Sequence, residues 1–156
     1  MPAIQSLPDD PFQRLVISVF RLNGGLLATG NRLVADLGLT SARWQVLGAT
    51  VTAPVPLSVA SIARNMGLTR QTVRTTVKDL EAAALVRLTS NPHHQRAHLV
   101  LPTAAGERAY ATAADRQRIW AEGITRGLDG TRMTAAADVL QAMLAQILDA
   151  PAGGEP

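Results

Sequence analysis

The sequence predicts a mainly α-helical protein with one small β-hairpin. Hydrophobic residues make up 47% of its 156 residues and aromatic residues only 3%, because alanine supplies many of the apolar positions. This composition suits close-packed helices better than a β-sandwich, whose strands favour aromatic and β-branched residues. Repeated helix-start signals and one alternating apolar segment point to the same fold class. The length allows one domain with a substantial core, with or without additional oligomerisation helices.

Four predicted helix starts share one local device. In each, a leucine precedes a Thr, Ser or Asp N-cap, and an apolar residue stands five positions after the leucine. The cap oxygen accepts a hydrogen bond from a free backbone N–H, and the two apolar side chains clamp the start as a hydrophobic staple. The four sets are Leu39/Thr40/Trp44, Leu57/Ser58/Ile62, Leu68/Thr69/Val73 and Leu128/Asp129/Met133.

The first predicted helix is Pro11–Leu37, along which leucine and valine recur at spacings near three and four. Gly38 follows it, in a position that commonly ends a helix. Gly24, Gly25 and Gly30 would weaken the interior of such a helix, so they predict either a kink or the close approach of another helix. The later predicted elements are helices at 41–52, 59–66 and 70–83, strands at 86–88 and 97–101, a helix at 103–125 capped by Thr103, and a last helix with its apolar face at 133–148.

Helices 59–66 and 70–83 carry the clearest functional signal. Their apolar residues, at spacings of three and four, predict that the two helices pack on each other. Two packed helices joined by a tight turn and followed by a β-hairpin form a winged helix-turn-helix, whose second helix enters the DNA major groove. The predicted packing residues are Ile62, Met66, Val73, Val77 and Leu80.

The opposite face of helix 70–83 supplies the candidate DNA-reading residues. Arginine and glutamine pair bidentately with guanine and adenine, and the start of a recognition helix meets the base edges. Hydroxyl and free N–H groups at helix starts suit phosphate oxygens, and a wing arginine can enter a minor groove or hold a phosphate. The predicted DNA-binding residues are Arg70, Gln71, Thr72, Arg74, Thr75 and Lys78 on the helix, Ser58 and Thr69 at the helix starts, and His94 and Arg96 on the wing.

The distribution of charge agrees with this interpretation. The formal net charge of the whole chain is +3. Residues 58–100 contain six basic residues and two acidic ones, a net charge of +4, whereas the remainder contains nine basic and ten acidic residues. Positive charge is therefore concentrated where phosphates would bind, although a basic helix face is often merely solvated.

Three segments resemble the MarR family of winged helix-turn-helix regulators: LTSARWQVLG at 39–48, GLTRQTVRTTVKDLE at 67–81 and NPHHQRAHLVLPTAAG at 91–106. The resemblance covers about residues 12–148. It implies a triangular homodimer that reads palindromic double-stranded DNA, with 70–83 as the recognition helix and Arg96 as the wing arginine. The implied organisation is a flexible arm at 1–11, dimerisation helices at 12–37 and 103–148, a DNA-binding domain at 40–102 and a disordered tail at 149–156.

The chain departs from the family pattern at three places. His94 stands where the wing often has an acidic residue two positions before its arginine, and it cannot brace Arg96 as a carboxylate would. Ala84 replaces the usual glycine after the recognition helix. The pair Pro102-Thr103 replaces Leu-Thr before the next helix. None of these changes removes the DNA-reading surface.

Two further groups of residues are candidate sites. Arg43 and Trp44 stand where family members often hold small aromatic or phenolic effectors, although a tryptophan at a staple position also fits the core. His93, His94 and His98 are the three histidines. Because no carboxylate or cysteine ligands stand nearby, they do not predict a metal site. They do allow a pH effect on phosphate contact, since histidine titrates near pH 6.5.

Other classes of protein are disfavoured. The chain has no cysteine, which excludes disulfides and thiol chemistry, and no catalytic constellation or Gly-rich phosphate loop stands out, so we expect neither an enzyme nor a cofactor. Without a signal peptide or a long apolar run, we expect a soluble cytoplasmic protein away from membranes. The predicted function is a dimeric transcriptional repressor released by a small molecule; the alternative is a winged-helix protein-interaction module without specific DNA binding.

Overall fold

The computed structural model describes residues 9–92 and 97–149. It is mostly helical with a small antiparallel sheet, which confirms the predicted fold class. The chain divides into two compact units between Arg118 and Ile119. In order, the elements are α1 (Pro11–Val34), a 3₁₀ turn (Ala35–Leu37), α2 (Ser41–Val51), β1 (Leu57–Ser58), α3 (Val59–Met66), α4 (Arg70–Ala82), β2 (Val86–Thr89), β3 (Leu99–Pro102), α5 (Ala104–Ile124) and α6 (Gly130–Asp149).

The predicted caps begin their helices as expected. Thr40 Oγ1 accepts a hydrogen bond from the third N–H of α2 at 3.2 Å. Ser58 and Thr69 do the same for α3 and α4, each at 3.1 Å. Asp129 accepts from the backbone N–H of residue 131 at 2.8 Å. The helix starts therefore depend on short-range hydrogen bonds that the sequence pattern encodes.

Residues in the left-handed region follow three helical segments: Gly38 after the 3₁₀ turn, Gly67 after α3 and Ala84 after α4. Gly38 and Gly67 have φ values of 67° and 64°, and Ala84 has 56°. After Ala84, the N–H of Leu85 donates to the carbonyl of Leu80 at 2.9 Å, while the N–H of Ala84 donates to Glu81 at 2.9 Å. This is a Schellman motif with alanine in the place that glycine normally takes.

The sheet has the strand order β1-β3-β2 and is antiparallel throughout. Val100 of β3 lies between Leu57 of β1 and Leu88 of β2. The two predicted strands are present, but β3 begins at Leu99, later than the predicted Ala97. Strand β1 was not predicted, because a two-residue strand has no alternating pattern to detect.

The core lies between α2, α3, α4 and the sheet. Of the five predicted packing residues, four are buried and Met66 is partly buried against them. This confirms that α3 and α4 pack through one apolar face. The buried apolar side chains are Val34, Leu39, Val46, Leu47, Ile62, Ala63, Val73, Val77, Leu80, Val86, Val100 and Ala113.

Gly30 marks the close approach of α1 to α2. A Cβ atom on Gly30 would lie 2.7 Å from Ser41 Oγ, and the side chain of Asn31 accepts a hydrogen bond from the Ser41 N–H at 2.7 Å. Of the two explanations offered for the glycines of α1, close approach is therefore correct at this position. Helix α1 continues through Gly24 and Gly25, where a Cβ atom would meet no described atom within 4 Å.

Within residues 9–92 and 97–149, no helix is long and apolar enough to cross a membrane. Across the same residues, no group of three or more His, Asp or Glu side chains is placed to hold a metal ion.

Candidate nucleic-acid interface

Helix α4 has a buried face and an exposed face, as the sequence predicted. Successive residues turn by about 100°, so positions three and four apart lie on the same side. Val73, Thr76, Val77 and Leu80 form the buried face. Eight residues of α4 are exposed to solvent, two of which are Glu81 and Ala82. The other six are the predicted DNA-binding residues of the helix: Arg70, Gln71, Thr72, Arg74, Thr75 and Lys78.

One flank of α4 borders an open groove of about 610 Å³ between the helix and the wing. Arg70, Arg74 and Lys78 bring three positive charges to this groove, and Gln71 adds an amide that can both donate and accept. Cations and an amide in one groove suit a polyanion that also carries hydrogen-bonding edges. The remaining lining residues are Ser58, Val59, Ala60, Val77, Glu81, Leu88, Ala97 and His98.

Two groove residues with ionisable side chains, Glu81 and His98, were not predicted to bind DNA. Glu81 lies one turn beyond Lys78 on the same flank of α4; its acidic charge was the only property of it used in the prediction. His98 was considered for a metal site and for pH sensitivity. The helical spacing from Gln71 through Arg74 to Lys78 extends to Glu81 and could have identified it.

The hydroxyl groups of two threonines in α4 already take part in hydrogen bonds within the protein. Thr72 Oγ1 lies 2.8 Å from Thr69 Oγ1, and Thr75 Oγ1 donates to the carbonyl oxygen of Gln71 at 3.2 Å. Both hydroxyl groups therefore already have a partner within the helix. Their oxygens can still accept a hydrogen bond, and their methyl groups remain available for apolar contact with a thymine methyl.

Ser58 and Thr69 stand at the starts of α3 and α4. Ser58 Oγ lies 2.9 Å from Ser61 Oγ in addition to capping its helix, and it lines the groove. Thr69 is exposed. Each helix start also presents backbone N–H groups and the positive end of the helix dipole, which favour an anion.

The opposite flank of α4 is joined to α2 by an ion pair. Arg43 Nη2 donates to Asp79 Oδ2 at 3.0 Å. The neighbouring Trp44 is partly buried and packs against the core. Arg43, which was predicted as a ligand-binding residue, thus has a protein partner, and Trp44 occupies the core position that its place in the staple suggested.

The wing tip carries the remaining predicted residues. His93, His94 and Arg96 lie outside the described residues, so the predicted contacts of His94 and Arg96 with DNA belong to a part of the chain that the structure does not describe. Strands β2 and β3 lead directly to this tip, and His98 at its end lines the groove beside α4.

Comparison with known proteins agrees with this arrangement. The sequence pattern of the MarR family matches residues 37–97. An uncharacterized protein of Mycobacterium tuberculosis is 33% identical over 135 residues, which cover 86% of this chain and 93% of that protein. A transcriptional regulator of the MarR family from Rhodococcus sp. RHA1 superposes with a TM-score of 0.76 at 23% identity, covering 87% of this chain and 96% of that one. CouR from Rhodococcus jostii RHA1, solved with p-coumaroyl-CoA, superposes with a TM-score of 0.74 at 25% identity over 97% of this chain and 100% of CouR.

Proposed function

Because the chain belongs to the MarR family of transcriptional regulators, we propose that it is a homodimeric repressor that binds palindromic DNA. A small molecule releases the repressor from this DNA. The observation that carries the proposal is the exposed face of α4, which brings Arg70, Gln71, Arg74 and Lys78 together beside the wing. The cations line a groove of about 610 Å³, and α3 packs against the buried face of the helix that carries them.

In the proposed complex, the first turns of α4 enter the major groove. Arg70, Gln71 and Arg74 contact base edges there, because their side chains form the bidentate pairs that distinguish guanine and adenine. Thr72 and Thr75 add apolar and hydroxyl contacts. Lys78, Ser58 and Thr69 contact phosphates and set the position of the helix on the duplex. On the wing, Arg96 contacts a phosphate or the minor groove beside His94.

The proposed dimer is supported by apolar side chains that a single chain leaves in water. On α1, Phe20 is 70% exposed, and on α6, Leu148 is 73% exposed. Burial of such faces against a second copy is favourable because it removes apolar surface from water. We propose that residues 12–37 and 103–148 supply the dimerisation helices and residues 40–102 the DNA-binding domain. Light scattering of the purified protein at micromolar concentration is expected to give twice the mass of one chain.

A homodimer has twofold symmetry, so the proposed operator is a palindrome. Two recognition helices enter successive major grooves when they lie about one DNA turn, roughly 34 Å, apart. A ligand that changes this separation lowers the affinity for the operator. By linkage, the operator must lower the affinity for the ligand by the same factor. Repression follows where the operator overlaps a promoter.

For the effector, we propose a small aromatic or phenolic molecule that binds near Arg43 and Trp44. In support, CouR, which has the same fold, was solved with p-coumaroyl-CoA. Trp44 emission is the appropriate probe, and Trp120→Phe removes the second tryptophan from the signal. A panel of aromatic acids that changes neither this emission nor the affinity for DNA would remove Arg43 and Trp44 from a ligand site.

The DNA proposal is tested by fluorescence anisotropy. The labelled duplex is taken from upstream of the protein's own gene and compared with a scrambled duplex at several salt concentrations. We expect tight, selective binding whose affinity falls steeply as salt rises, because bound cations displace counterions from the phosphates. Equal and weak binding to both duplexes would mean that the operator lies elsewhere or that the winged domain binds a protein partner instead.

A further inference from the structure

The Arg43–Asp79 ion pair connects the recognition helix to a helix outside the DNA-reading surface. The two residues are 36 positions apart in the sequence, and their atoms Nη2 and Oδ2 are 3.0 Å apart. Their side chains are 34% and 43% exposed. At this intermediate exposure the bond is accessible to solvent, yet both partners stand on helices that the core already holds together.

The position of Asp79 on α4 makes this bond relevant to DNA reading. At about 100° per residue, Asp79 lies roughly 80° around the helix axis from Gln71 and 100° from Lys78. It therefore stands at the edge of the exposed face, on the side away from the wing. Val73, Val77 and Leu80 hold α4 by apolar packing, which has no directional preference of its own. The hydrogen bond from Arg43 to Asp79 adds a directional contact at the edge of the helix, which helps to set the rotation of α4 about its axis.

The charge of Asp79 also matters. A carboxylate beside the DNA-reading face repels phosphates, and in this chain it follows Lys78 directly. The guanidinium of Arg43 places an opposite charge against it, so the net charge at this edge of α4 is close to zero. Without Arg43, Asp79 would offset part of the attraction that Arg74 and Lys78 provide.

We propose that Arg43 is a positioning residue for DNA recognition, which sets the rotation of α4 and neutralises Asp79 without contacting DNA itself. This inference rests on the proposed DNA-reading role of α4. It also gives α2 a direct connection to the recognition helix. A molecule that bound the Arg43 guanidinium would break the ion pair with Asp79. It would then weaken operator binding in the same way as a substitution of Arg43.

A double-mutant cycle tests the proposal. The wild type, Arg43→Gln, Asp79→Ala and the double variant are titrated with the selective duplex and with the scrambled duplex at several salt concentrations. In the wild-type background, Arg43→Gln is expected to weaken binding of the selective duplex by about tenfold. In the Asp79→Ala background, the same substitution should weaken it by less than about twofold, because the effects of two residues in contact are not additive. The slope of log affinity against log salt is expected to change by much less than one, because Arg43 contacts no phosphate. Arg108→Gln removes one exposed positive charge from α5 and serves as the matched control.

Two results would overturn the proposal. One is an equal loss, or no loss, from Arg43→Gln in both backgrounds, because Arg43 would then act independently of Asp79. The other is a decrease of about one in the salt slope, which would place Arg43 on a phosphate. Circular dichroism and thermal unfolding check that each variant folds. If Arg43→Gln does not fold, the double-mutant cycle is measured with Arg43→Lys in its place. A wild type that selects neither its own upstream duplex nor any duplex from a random pool refutes the proposed function itself, and this is recognised before the cycle begins.

Discussion

Gly106 lies directly against the carbonyl group of Leu85, and a Cβ atom on this glycine would come within 2.0 Å of the Leu85 oxygen. The same oxygen accepts a hydrogen bond from the N–H of Thr103 at 3.0 Å. Thr103 Oγ1 donates to the carbonyl of Ala84 at 2.8 Å and accepts from the N–H of Gly106 at 3.1 Å. The first turn of α5 therefore packs against Ala84 and Leu85, the two residues that connect the recognition helix α4 to the wing.

This contact predicts that Gly106→Ala strongly destabilises the protein. The new methyl group meets backbone rather than a side chain that could move, so we expect a loss of about 3 kcal/mol in the free energy of unfolding. Urea denaturation measures it. Gly123→Ala in the same helix is the control, because a Cβ there meets no described atom within 4 Å; it should be neutral or stabilise by up to about 1 kcal/mol. Similar values for the two variants would contradict the described contact.

Ala84 predicts a change in the opposite direction. A non-glycine residue in the left-handed region costs about 1–2 kcal/mol, and Ala84 has a φ of 56°. We expect Ala84→Gly to raise the free energy of unfolding by about 0.5–1 kcal/mol, since the greater freedom of glycine in the unfolded chain offsets part of the gain. Gly67→Ala, at a φ of 64°, reverses the change and should destabilise. If Ala84→Gly also destabilises, the left-handed conformation of Ala84 is wrong.

The helix starts could be predicted from the sequence because their causes are local. A cap and its N–H donor stand three residues apart, and Thr40, Ser58 and Thr69 all behave as the pattern indicated. The exposed face of α4 followed from helical periodicity in the same way. Local rules also explain why the motif at Ala84 survives without glycine, since its hydrogen bonds involve backbone atoms alone.

Features that join distant segments could not be predicted. Nothing near Arg43 in the sequence indicates a partner on α4, so Arg43 was predicted only as a ligand-binding residue. Strand β1 depends on pairing with β3 more than 40 residues later. The inclusion of His98 in the groove follows from the position of the wing relative to α4, which periodicity within one element does not define.

Asp36 predicts how stability depends on pH. Arg116 donates to this carboxylate at 2.7 Å and to the carbonyl of Leu33 at 2.8 Å. The hydrogen bond from Arg116 holds the pKa of Asp36 below its usual value. A lowered folded-state pKa contributes stability above the unfolded value, about 4, and loses it as pH falls through the folded value. The stability difference between wild type and Asp36→Asn should therefore be constant above about pH 5 and shrink below about pH 4. A difference that grows on acidification would contradict this sign.

Arg74 predicts a loss of sequence discrimination. Its side chain is exposed and lines the groove beside the wing. If it reads a base, Arg74→Ala should cost about 1–3 kcal/mol of binding free energy on the selective duplex and much less on a scrambled one. Anisotropy titration of both duplexes measures the two values. An unchanged affinity for the selective duplex would remove Arg74 from the interface.

For Arg96 we expect a loss of DNA affinity that does not depend on sequence. A residue that holds a phosphate contributes to all sequences, so Arg96→Ala should weaken selective and scrambled duplexes by similar factors. It should also lower the slope of log affinity against log salt by about one. Arg108→Ala on α5 controls for the loss of a positive charge. Loss confined to the selective duplex would instead indicate that the wing arginine reads sequence or groove shape.

The most direct test of the central claim is selection of bound duplexes from a random pool by the purified wild-type protein. A homodimer that presents α4 twice should enrich palindromes whose half-site centres lie about 10 base pairs apart, which is one helical turn. The Arg74→Ala variant should enrich the same pool with less sequence preference. A wild-type pool that stays random, or that yields single asymmetric sites, would contradict a symmetric DNA-reading dimer.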